Sequence, residues 1–114
     1  MSHDPRRANG TKRDKLRRRV LREESVCHLC DQWVDTRLPH GLPGSPEVDE
    51  LVPVTYGGSP FDRANCRLAH RWCNRLRWHR PVYVGRALIA EQPPRDPQDP
   101  VAGSLFAQSI SAAA

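Results

Sequence analysis

Apolar residues along this chain come in short, separated clusters rather than long runs. Leu16, Val20 and Leu21 fall at i, i+4 and i+5 among arginines. That narrow stripe predicts a helix over residues 14–24 whose exposed face is strongly positive. Val48, Leu51, Val52 and Val54 are strand formers and place a strand within residues 47–55, with Pro53 breaking its ladder. Residues 56–60 read as a Gly-Gly turn, extended as a loop to residue 65. Residues 66–69 form a second short strand. Residues 70–80 read as a helix stopped by Pro81. On it, His70, Cys73, Asn74 and Arg77 share one face at i, i+3, i+4 and i+7. The Pro- and Gly-containing stretch 35–45 is an irregular loop, and the pattern over 82–89 implies an extra element without fixing its type.

Length changes this picture only by bounding it. At 114 residues the chain is sized for one domain. Residues 1–13 read as a basic flexible N-terminus, 14–90 as the folded domain, and 91–114 as a disordered tail rich in proline at its start. The expected class is α+β. A core confined to residues 14–90 is marginal by itself and calls for a metal or disulfides.

Charge adds a partner. Lys and Arg number 18 against 13 Asp and Glu, for a net charge of +5. Two separate blocks carry the excess, one over residues 1–22 and one over residues 63–80. Paired basic blocks fit a polyanion, with nucleic acid first. No run has the length of a membrane span and no secretory signal is evident, so a reducing cytoplasm is the expected compartment.

In that compartment cysteine clusters more often bind metal than pair. Cys27-x-x-Cys30 is a tight turn able to present two thiolates to one ion. His70-x-x-Cys73, at a strand-to-helix junction, is a second close pair. Together they make a Cys3His set for structural zinc, which tolerates mixed sulfur and nitrogen ligands. Cys66 competes with His70 for the fourth place, or is simply a small buried residue in its strand.

The run Val48-Asp49-Glu50-Leu51-Val52-Pro53, then Gly57-Gly58-Ser59-Pro60, then Asn65 through Arg75 resembles the motif of HNH endonucleases. It is most similar to the zinc-containing type found near phage DNA-packaging genes, and the likeness covers residues 15–80. The resemblance implies a ββα-metal fold of two antiparallel strands, a loop and a helix. It implies that Asp49 and Asn74 hold a catalytic Mg2+ or Mn2+, oxygen donors suiting a hard ion. It implies that Asn65 braces the loop carrying the general base. It further implies DNA as substrate, a bacterial host cytoplasm, and a terminase or other packaging protein as partner.

One position departs from the pattern. Where the family has a general-base histidine, this chain has Glu50. Glu50 can take a proton from the attacking water, serve as an extra ligand or orienting group, or mark a site that binds DNA without cutting. His28, His40 and His79 are not placed at the base position by spacing and read as surface or local structural residues. Arg63, Arg67, Arg71, Arg75 and Arg77 surround the motif and are the expected phosphate contacts. Two other classes remain: a non-catalytic zinc module that binds DNA or a packaging protein, and a disulfide-bonded secreted domain, which the missing signal and the CxxC spacing disfavour.

Overall fold

A computed structural model describes residues 10–93 of the chain. Within them the architecture is α+β: one two-stranded antiparallel sheet and three helices. Helix α1 spans Gly10–Glu23. Strands β1 (Pro46–Glu50) and β2 (Cys66–His70) pair antiparallel, with Pro46 opposite His70, Val48 opposite Leu68 and Glu50 opposite Cys66. Helix α2 (Arg71–Arg77) follows β2 directly, and helix α3 (Val82–Ala90) closes the order. No helix among the described residues is long and apolar enough to cross a membrane.

α1 begins four residues before its expected start, so residues 10–13 are helical rather than part of a flexible arm. Residues 1–9 of that arm and 94–114 of the expected tail lie outside the described residues. Leu16 and Val20 are the buried residues of α1 and Leu21 packs at their edge. The helix ends in acids, which its dipole disfavours. Arginines from the hairpin offset this: Arg63 reaches Glu23 and Glu24 at 2.8 Å each, and Arg67 reaches Glu24 at 3.0 Å.

β1 stops at Glu50, earlier than the strand formers Leu51 to Val54 implied. Pro53 has no N–H for a ladder, and the chain turns into a short 3-10 segment, Val54–Tyr56. Gly57 closes that turn at φ 91°, a left-handed conformation that favours glycine. Gly58 then lies so close to residue 52 that a Cβ there would sit 1.7 Å from the Val52 carbonyl oxygen.

α2 ends at Arg77, short of the proline expected to stop it, because Trp78 turns the chain at φ 52° and ψ −123°. Its first turn is fixed from outside: Arg71 N–H donates to Ser45 O and Trp72 N–H to Pro43 O, each at 2.9 Å. The loop over residues 35–45 therefore caps a helix, and buried Ser45 holds it by donating its hydroxyl to Pro39 O and accepting from Leu42 N–H. The element whose type the pattern left open is α3, which starts after Pro81 and buries Gly85 and Ile89. Gly85 lets it approach α2, since a Cβ there would meet Arg77 Cγ at 2.5 Å.

The core is small: Leu16, Val20, Leu29, Val34, Leu68, Ala69, Leu76 and Ile89, with Cys27, Cys66 and Cys73 among them. Little apolar volume for so many residues leaves a large role for a cross-linking ion.

Candidate metal centre and acidic cleft

The Cys27-x-x-Cys30 segment forms a tight hairpin, a knuckle between α1 and β1. Val26 bridges Trp33, Cys27 N–H donates to Gln32 O, and Asp31 N–H donates to Cys27 O, both at 2.9 Å. Asp31 takes φ 64°, a left-handed position that Asp tolerates better than most residues. This turn puts Cys27 and Cys30 on the same side as His70 and Cys73. The four ligand atoms all lie within 4.8 Å of one another, so the Cys3His cluster can hold one metal ion, consistent with structural zinc.

The surroundings fit that ion. Cys27 Sγ accepts backbone N–H groups from Leu29 and His70, each at 3.4 Å, as a thiolate does. Hydrogen bonds from Cys30 and Cys73 hold the Cys27 thiol far below its usual range, and Cys27 and Cys30 in turn push Cys73 far up. Burial pulls the His70 imidazole down, but bonds with Cys27 and Cys30 outweigh it and raise it to about 10. Three sulfurs and an imidazole this close are a donor set suited to one divalent ion, which the cysteines would bind as thiolates.

Cys66 is not in this cluster. Its Sγ lies 3.7 Å from an Arg13 guanidinium and 3.8 Å from Pro60 O, on the α1 side of the hairpin. Burial raises its thiol, and it packs as a small core residue.

A cleft of about 210 Å3 is lined by residues that include Asp49, Glu50, Asn74, Arg75, Arg77, Trp78 and His79. Asp49 is buried, and both its oxygens accept hydrogen bonds: Oδ2 from His28 Nε2 and Oδ1 from Arg77 Nη1, each at 2.8 Å. Asn74 Nδ2 donates to Glu47 Oε1 at 2.9 Å. Glu50 is paired with Arg13 at 3.5 Å. Asn65 closes the loop between the strands: its Oδ1 accepts from Val52 N–H at 2.9 Å, and its Nδ2 donates to Val52 O and Ser59 O at 3.0 and 3.1 Å.

The arginines separate into kinds. Arg77 is 1% exposed and donates to the carbonyls of Glu50, Leu51 and Arg80 as well as to Asp49. Its expected phosphate contact is therefore corrected: the guanidinium is enclosed, because the turn after α2 folds over it. Arg63 is largely taken up by Glu23 and Glu24. Arg67 is half exposed, Arg71 faces Glu47 at 3.6 Å, and Arg75 is exposed. Lys12, Lys15, Arg18, Arg19 and Arg22 form the exposed basic face of α1.

Sequence reasoning gave His28 only a surface or local structural role and passed over Arg13. His28 is buried against Asp49, where only its place between two zinc-ligand cysteines could have drawn notice. Arg13 joins α1 to Glu50, Val48 O and Pro60 O, which no local pattern signals. No family model matches this chain, and no curated protein or solved structure shows significant similarity to it.

Proposed function

We propose that this protein is a zinc-stapled, metal-dependent DNA endonuclease of the HNH type. The observation that carries the reading is the order and placement of four side chains. Asp49 and Glu50 end β1, Asn65 ties down the loop, and Asn74 enters from α2 beside the same cleft as both acids.

Asp49 and Asn74 would hold a hard divalent cation. A carboxylate has about four lone-pair sites, so the bonds from His28 and Arg77 leave Asp49 able to take one. Such an ion, when bound, neutralises phosphate charge and stabilises the leaving oxygen. Glu50 accepts the proton of the attacking water as the O–P bond forms. The 3′ oxygen departs with the bonding pair and takes a proton from solvent, leaving 5′-phosphate and 3′-hydroxyl ends. Asn65 keeps the loop closed over residues 52 and 59, which holds the end of β1 in place. Exposed cations of α1 together with Arg67, Arg71 and Arg75 supply a grip on phosphates that does not read sequence.

A second reading has its own observation. Asp49 is already charge-paired with Arg77, and position 50 lacks the imidazole. Both favour a module that binds DNA, or a phage packaging protein such as a terminase, without cutting.

The test is nicking of supercoiled plasmid with Mg2+ or Mn2+ by zinc-loaded wild type, Glu50→Ala, Glu50→His and Asp49→Asn. The asparagine keeps the cavity filled where alanine would leave Arg77 opposite a void. Cutting by wild type that drops about 100-fold or more in Glu50→Ala supports the nuclease. Folded, zinc-loaded protein that binds duplex but never cuts favours the second reading.

A further inference from the structure

The zinc knuckle contributes more than ligands. Between Cys27 and Cys30 it carries His28, which is outside the Cys3His set and buried to 5% side-chain exposure. Three of its polar groups are held. Its backbone N–H donates to Leu68 O of β2 at 2.9 Å. Its carbonyl accepts from Arg86 of α3, whose guanidinium is anchored on Asp31. Its Nε2 meets Asp49 Oδ2 at 2.8 Å, and since a carboxylate only accepts, Nε2 carries the hydrogen.

Arg77 grips the same carboxylate from the opposite side, with Nη1 2.8 Å from Oδ1 and 2.5 Å from Glu50 O. Two donors on two oxygens leave the Asp49 side chain one orientation. Donors of this kind set the direction and basicity of a ligand oxygen, and losing one weakens metal binding by about 10–100-fold.

We propose that His28 is a positioning residue for Asp49, so that the zinc knuckle sets the cation affinity of the acidic cleft. This rests on the reading of Asp49 as a cation ligand. The zinc ligands flanking His28 fix the height of its ring over β1, and the bond to Oδ2 transmits that placement to the cleft. A buried histidine with a purely structural role would affect folding alone.

The experiment measures Mn2+ binding to the full zinc-loaded chain by electron paramagnetic resonance, with zinc content and circular dichroism on the same samples. His28→Gln keeps an amide N–H close to the place of Nε2. His28→Asn is polar enough to be tolerated but too short to reach Asp49. The expected result is Mn2+ affinity within about 3-fold of wild type for His28→Gln and about 10–100-fold weaker for His28→Asn, both with one zinc and native spectra. Equal affinity in His28→Asn and wild type overturns the proposal and leaves the nuclease reading standing. Equal weakening in both variants also overturns it, since restoring the donor then restores nothing. Absence of Mn2+ binding in folded wild type overturns both.

Discussion

His70 Nε2 lies 2.8 Å from the carbonyl oxygen of Trp33. A carbonyl can only accept, so Nε2 bears a hydrogen, and Nδ1, 3.3 Å from Cys30 Sγ, is the nitrogen that would face a metal ion. The hairpin of the knuckle thus selects the tautomer that ligates. Purified protein is expected to contain one zinc per chain by elemental analysis. His70→Ala and Cys73→Ala should lose it and unfold by circular dichroism, whereas Cys66→Ala should keep it. Cys30 and His70 also border an open groove, so a strong chelator should strip the ion without prior denaturation.

Glu24 ties α1 to the hairpin, and that tie is acid-labile. Burial raises its carboxyl, but bonds from Arg67, Arg63 and Leu68 N–H hold it below its ordinary 4.5. A depressed carboxyl contributes stability above the unfolded value and loses it as pH falls through the folded one. Unfolding free energies of wild type and Glu24→Gln from urea titration should differ by about 2 kcal/mol at pH 7. The gap should shrink steadily below pH 4.5; a gap that persists unchanged at pH 3 would sink the idea.

Trp78 holds a backbone conformation that glycine adopts far more easily, and 64% of its surface is exposed. Such strain costs of order 1–3 kcal/mol, partly offset by the greater freedom of an unfolded glycine. Trp78→Gly is expected to stabilise by about 1 kcal/mol, raising Tm by roughly 4–8 °C in a scan of a domain this size.

The loop between the strands depends on Asn65 and Gly58 together. Asn65→Ala removes three hydrogen bonds and should cost about 1–3 kcal/mol. Gly58→Ala forces backbone against the Val52 carbonyl and should cost more than about 2 kcal/mol in denaturant titration.

Arg75 and Arg77, two residues apart, should fail in different ways. Arg77→Ala leaves Asp49 buried beside a void and should destabilise by about 3–5 kcal/mol. Arg75→Ala should leave Tm unchanged and lower the salt dependence of duplex binding by about one unit of slope. An Arg75 variant with an unaltered salt slope would remove it from the proposed contact surface.

The Cys3His cluster and the helix after β2 were legible because metal-ligand spacing is local: Cys27-x-x-Cys30 and His70-x-x-Cys73 announce themselves within four residues each. The α+β class followed from strand formers in two short runs set between segments of helical spacing. What stayed hidden depends on the chain meeting itself at a distance. Nothing near Arg77 distinguishes a buried guanidinium from a surface one, because burial comes from a turn at Trp78 and from Gly85 admitting α3. The helix of residues 82–90 gave no sign of its type, being short and apolar on more than one face. The stretch 35–45 read only as an irregular loop, yet its carbonyls cap α2.

The clasp of Arg63 and Arg67 on the end of α1, with Arg13 fastened near its start, has a consequence for how a polyanion is met. The exposed cations of α1 cannot swing independently of the hairpin, so their bearing on the acidic cleft is constant. A strand lying along both surfaces would find its orientation already chosen, with little further ordering entropy to lose on docking. The phosphate nearest Asp49 would then sit at a fixed offset from the phosphates held by α1, as on a ruler with one end marked.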